Sequence, residues 1–121
     1  VILSFELLEA ARWAEYLRPD GVIITNTQQI DPMQVITGKA EYPAAISEKL
    51  TALGLRVDAF DALSLAEEAG TSKAVNIVLL GRISRRFDFT EAEWMQAIEE
   101  SVPAKFLEIN KKAFLLGRKA N

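Results

Sequence analysis

Asn26 and Thr27 are the polar side chains best placed to do chemistry. They stand where an apolar run stops: Gly21-Val-Ile-Ile-Thr-Asn-Thr27 is rich in β-branched residues until it ends in polar ones. A strand without alternation is apolar on both faces, so it belongs in the middle of a helix-covered parallel sheet, where ligands and partners meet the carboxyl ends of the strands. An amide and a hydroxyl at that point can recognise a ligand by hydrogen bonds, but neither is an acid, a base or an electron carrier at neutral pH. The chain has no Cys and no His. That removes thiol nucleophiles, thiolate ligands for iron–sulfur clusters, the usual general base and the usual zinc ligand. The 17 Asp and Glu are spread along the expected helix surfaces rather than paired, so neither glycosidase-like nor metal-site chemistry is indicated. Thr37-Gly38-Lys39 is only superficially like a phosphate loop, because the spaced upstream glycine and a following Ser or Thr are missing. No catalytic residue and no metal ligand is expected.

Four other side chains are candidates for ligand or interface contact. Asn76 is an amide among Val75, Ile77 and Val78; buried there, it either ties a loop backbone to its helix or meets a ligand or partner subunit. Asn110 falls in the apolar stripe of the last helix and either satisfies a backbone group or hydrogen-bonds across an interface. Trp13 and Tyr16, three residues apart on the outward side of the first helix with Glu6 and Glu9, read as a contact surface or as rings snorkelling at a core edge. The long connection from Thr27 to Tyr42 is expected to dock on a neighbouring subunit.

The elements that must position these residues follow from periodicity. Val1-Ile-Leu3 reads as the second half of a buried strand, and with no Met at its start a longer polypeptide is expected. A helix from Phe5 to Leu17 with a stripe of Leu7, Ala10, Ala11, Ala14 and Leu17 leads to the strand at 21–27; a helix from about Ala44 to Leu53 leads to a second strand, Leu55 to Phe60. Asp61 or Ser64 then caps a short helix ending at Gly70, with Ser64 and Glu67 at capping-box spacing. Lys73 to Ile83, begun by Thr71 or Ser72, reads as a helix buried all round in which Gly81 admits another backbone. Thr90 and Glu93 form a capping box for a helix through Glu100 with Trp94, Ala97 and Ile98 inward. Pro103 opens a last helix whose stripe is Phe106, Ile109, Ala113, Phe114 and Gly117. The fold class expected is α/β: a Rossmann-like, mostly parallel sheet with helices on both faces, in a single domain covering residues 1–121.

Composition narrows the partners. Hydrophobic residues are 50% and charged residues 26% of the 121, and no apolar run nears the roughly 20 residues that span a bilayer, so no membrane partner is expected. A net charge of −3 argues against general nucleic-acid binding. The lack of Cys fits a cytoplasmic protein.

Several stretches are familiar as an ordered set: Phe5-Glu-Leu-Leu-Glu-Ala-Ala-Arg12, Asn26-Thr-Gln with Pro32 following, Gly38-Lys-Ala-Glu-Tyr-Pro43, Leu65-Ala-Glu-Glu-Ala-Gly70, Asn76-Ile-Val-Leu-Leu-Gly81, and Pro103-Ala-Lys-Phe-Leu-Glu-Ile-Asn110 with Ala113-Phe and Gly117. Together they resemble the γ-type domain of the 2-oxoacid:ferredoxin oxidoreductases, and most closely the β subunits of the indolepyruvate type. The resemblance implies a non-redox subunit or domain of a multi-subunit enzyme that oxidatively decarboxylates 2-oxoacids to acyl-CoA. Thiamine diphosphate, iron–sulfur clusters and coenzyme A would serve the parent complex, with none bound by this chain, which alone would be inactive. Its partner would be the thiamine-binding α subunit, with ferredoxin reached indirectly. The family's glycine-rich N-terminal βα portion has no counterpart in these residues, so the chain is expected to be the C-terminal part of the γ-type domain. The competing reading is a stand-alone Rossmann-like module that binds a nucleotide or an acyl carrier.

Overall fold

The structure, a computed structural model, describes residues 1–121. Contacts group the chain into two compact units, Val1–Phe60 and Asp61–Asn121.

The first unit holds the sheet. Strands β1 (Ile2–Ser4), β2 (Val22–Asn26) and β3 (Arg56–Phe60) lie in the order β1-β2-β3. All pairs are parallel, with Ile23 opposite both Ile2 and Val57. Parallel neighbours need crossovers, here made by α1 (Leu7–Trp13, continued by a 3-10 turn Ala14–Tyr16) and α3 (Ile46–Ala52). Right-handed crossovers between strands laid down in sequence order put both helices on one face. Ala10 of α1 and Ile46 and Leu50 of α3 accordingly pack with Ile23 in one buried cluster. All five residues of β2 are buried, odd and even alike, as an unbroken apolar run requires. The α/β class and the parallel sheet are thus borne out.

One local expectation in this unit needs correction. Glu6, placed on the outward side of the first helix, is 5% exposed and caps α1, its Oε2 accepting from the Glu9 N–H at 3.0 Å. The connection after β2 contains a one-turn helix, α2 (Met33–Ile36), capped by Thr37 and followed by Gly38 with φ 76°. Thr37-Gly38-Lys39 is therefore a helix terminus, with the Lys39 N–H on the Gln34 carbonyl at 2.8 Å.

The second unit is helical: α4 (Ala62–Ala69), a 3-10 turn Ser72–Ala74, α5 (Val75–Ser84), α6 (Glu91–Ser101), a 3-10 turn Ala104–Phe106, and α7 (Leu107–Lys119). Asp61 caps α4, accepting from the Ser64 N–H at 3.0 Å and its hydroxyl at 2.6 Å, so Ser64 lies inside the helix rather than starting it. The Thr90–Glu93 capping box is complete, with reciprocal bonds of 3.2 and 2.7 Å. Helices α5 and α7 touch through glycines. A Cβ on Gly81 would lie 2.1 Å from the Phe114 carbonyl oxygen, and one on Gly117 would lie 1.9 Å from that of Val78. Phe114, Leu79 and Val78 are fully buried there. Arg118 reaches the Ser84 hydroxyl at 2.6 Å, while Arg82 and Arg85 both donate to the Ala120 carbonyl.

Helix α5 is not buried all round, because Asn76 is exposed. Ala97 and Phe106, expected inward, are exposed as well, and the core positions of their helices are taken by Ile98, Ala113 and Phe114. No helix is long and apolar enough to cross a membrane.

Candidate functional site

The carboxyl ends of β2 and β3 open onto a cavity of about 520 Å³. Thr27, Gln29, Tyr42, Ser47, Glu48 and Ala59 are among its lining residues. Thr27 is exposed, and its N–H extends the sheet pairing by one bond, 3.0 Å to the Phe60 carbonyl. Asn26, one residue earlier, is fully buried beneath it, with Nδ2 3.4 Å from Gln28 Oε1. The pair expected at the strand end is therefore divided, since Thr27 faces the cavity lining and Asn26 belongs to the interior.

One wall of the cavity is strained. Ala45, just before α3, has φ 54° and ψ 42°, the left-handed conformation that a Cβ disfavours by about 1–2 kcal/mol. Nearby, Tyr42 donates its hydroxyl to Glu6 Oε1, tying the long connection to the start of α1. Burial, and then the Glu6 carboxylate, push the Tyr42 phenol up to about 12, so it stays protonated through the neutral range. It can donate a hydrogen bond but not serve as a base. Glu6 was missed as a functional side chain because its partner lies 36 residues on; the one local signal is a carboxylate at a helix start.

The cavity lining presents hydroxyls, an amide and the Glu48 carboxylate, and includes no Lys or Arg. Nowhere do three or more His, Cys, Asp or Glu side chains gather as metal ligands would.

The other candidates are scattered. Trp13 and Tyr16, with ring centroids 5.4 Å apart, are 56% and 71% exposed. They line a groove of about 450 Å³ along β1 with Ile2, Leu3 and Phe5. Asn110, in the second unit, donates Nδ2 to the Phe106 carbonyl at 2.8 Å, which is the backbone-satisfying alternative. It also lines a cavity of about 380 Å³. Asn76 is exposed on α5 and lines none of these cavities, contrary to its expected burial.

Comparison with known proteins gives a consistent picture. Residues 1–120 match the family model described as pyruvate ferredoxin/flavodoxin oxidoreductase. Indolepyruvate oxidoreductase subunit IorB of Thermococcus kodakarensis is 42% identical over 99% of this chain and 62% of its own length. The subunit of the same name from Pyrococcus horikoshii is 40% identical over 99% of this chain and 62% of its own. The chain thus spans about three-fifths of the length of the curated relatives it matches. Among solved structures, the keto/oxoacid ferredoxin oxidoreductase γ subunit of Geobacter sulfurreducens PCA superposes with a TM-score of 0.68. It is 20% identical and aligns over 96% of this chain and 60% of its own, a likeness of fold.

Proposed function

The chain belongs to the pyruvate ferredoxin/flavodoxin oxidoreductase family, and on that premise we propose that it is the non-redox component of a thiamine diphosphate-dependent, indolepyruvate-type 2-oxoacid:ferredoxin oxidoreductase. The observation that carries this reading is the family match over residues 1–120, joined to 42% identity with a protein named as an indolepyruvate oxidoreductase subunit. The complex would oxidise a 2-oxoacid to carbon dioxide and an acyl-CoA in the cytoplasm, passing electrons to ferredoxin. This chain would supply structure rather than redox chemistry.

The residues present agree with that division of labour. There is no thiolate to ligate an iron–sulfur cluster. No cation lines the strand-end cleft to hold a pyrophosphate, and no acidic group gathers to hold its metal. The chain's own side chains fit neither an iron–sulfur cluster nor thiamine diphosphate, so both would sit on companion polypeptide, chiefly the thiamine-binding α subunit. Asn26, Thr27, Trp13, Tyr16, Asn76 and Asn110 remain proposals for contact, not for catalysis. The lack of a phosphate-binding glycine loop in the sequence weighs against a stand-alone nucleotide module. Calorimetry with coenzyme A, NAD and ATP separates the two, since micromolar binding by the chain alone would favour the module.

The direct test is co-expression with a thiamine-dependent α subunit of the same family. A co-purifying complex that reduces ferredoxin only when a 2-oxoacid and coenzyme A are supplied is the expected result. Failure to co-purify, both with this chain and with a form carrying the extra length of its relatives, would overturn the proposal.

A further inference from the structure

We propose that the cavity between the Thr71–Ala74 turn and the start of α7 binds a small amphipathic anion, an apolar body bearing a single carboxylate or similar group. At about 380 Å³ it lies within the size range of small-molecule sites. Its lining divides by chemistry: Ala74, Phe106 and Ile109 are apolar, while Thr71, Lys73 and Asn110 are polar.

Three features select the sign and shape of the ligand. Lys73 is the one cationic side chain in the cavity lining and has no carboxylate partner. The Phe106 ring, 47% exposed, carries the Lys105 ammonium 4.8 Å from its centroid, adding a second positive charge beside the apolar surface. Thr71 Oγ1 already accepts from the Lys73 N–H at 3.2 Å, which leaves its hydroxyl proton to donate. Donors and cations next to an aromatic ring and an Ile side chain complement a carboxylate on a hydrocarbon or aryl body. Asn110, its Nδ2 committed to the Phe106 carbonyl, keeps Oδ1 as the one side-chain amide acceptor. The strand-end cleft of the other unit, with Glu48 and no cation, lacks this complementarity. The inference goes beyond the proposed function, because it requires neither a partner subunit nor a reaction.

The test is a backbone-amide NMR titration of the 121-residue chain with phenylacetate, using phenylacetamide as the neutral control. Saturable shifts confined to Thr71–Ala74 and Phe106–Asn110 are expected, with a dissociation constant on the order of 1 mM. The amide should bind about tenfold more weakly, and Lys73→Gln should weaken phenylacetate by about the same factor. Lys73 is exposed, so its melting temperature should not change. Shifts that fail to saturate by about 10 mM, that centre elsewhere, or that are equal for acid and amide would overturn the proposal, as would full affinity in Lys73→Gln. The titration uses this chain alone and the co-expression test reads complex formation, so the two results are scored separately.

Discussion

In residues 1–60 the chain is drawn together around a strand whose five residues are all buried, whereas in residues 61–121 two helices meet so closely that their backbones take the place of side chains. The first arrangement leaves loose ends. The connection from Thr27 to Ala45 exposes Ile30, Met33 and Ile36, is tied back by the Tyr42–Glu6 bond, and ends in a strained Ala45. The second leaves none at its centre, where Gly81 and Gly117 admit no added atom. The two units differ in charge as well, since the strand-end cleft lacks a cation that the Lys73 cavity has.

The hardest test of that contrast is Gly117→Ala. The new methyl would sit 1.9 Å from the Val78 carbonyl oxygen, and the obstacle is backbone on a fully buried surface, so it cannot swing aside. Overpacking of this kind costs about 3 kcal/mol or more, to be read as a fall in the urea midpoint. An unchanged midpoint would show that α5 and α7 can separate freely, and the contrast would fail.

How much of this was legible in the sequence depended on how far apart the interacting residues are. The Thr90–Glu93 box was readable because both partners lie within one turn. The central strand was readable because burial on both faces leaves a continuous apolar run, and Gly81 because a glycine in such a helix has few other uses. Asn76 was misread since α5 is apolar in composition on more sides than packing covers. Asp61 against Ser64 as the α4 cap turned on a single residue of register. Of the candidate site, the strand end was found, but the burial of Asn26 and Glu6 and the geometry of Ala45 arise from contacts or loop closure that no local pattern records.

The next effect in size belongs to the tie in the first unit. Glu6→Gln replaces one of two accepting oxygens with a donor at a 5% exposed site, at a cost of about 2 kcal/mol in the same urea assay. The pH dependence of Tyr42 has a definite sign. Its phenol titrates higher in the folded chain than its ordinary 10.0, so its contribution is complete below about pH 10 and is lost as pH rises toward 12. Thermal melts across that interval should fall more steeply for the natural chain than for Tyr42→Phe. Parallel curves would show that the tie does not hold the connection in place.

In the second unit Asp61→Ala removes the α4 cap, a loss of about 1 kcal/mol near neutral pH. The hydrogen bonds from the Ser64 hydroxyl and then the Ser64 N–H hold the Asp61 carboxyl below its ordinary 3.8. The stabilisation is therefore present above that value and disappears as pH falls through the lowered one. Natural and variant chains should converge in acid, and a constant difference down to pH 2 would mean the charge is irrelevant to the cap.

The smallest effect runs the other way and completes the comparison. Ala45 is exposed and left-handed, so a glycine there would give up no packing while relieving the Cβ clash. The gain is partly offset by the greater freedom of glycine in the unfolded chain, which leaves a net stabilisation of about 0.5 kcal/mol. Glycine thus strengthens the first unit at the position where the natural residue is alanine, while alanine disrupts the second where the natural residue is glycine. If Ala45→Gly instead destabilises the chain, the alanine methyl must make a contact that offsets its strain, and the wall of the strand-end cleft is then built as firmly as the α5–α7 seam.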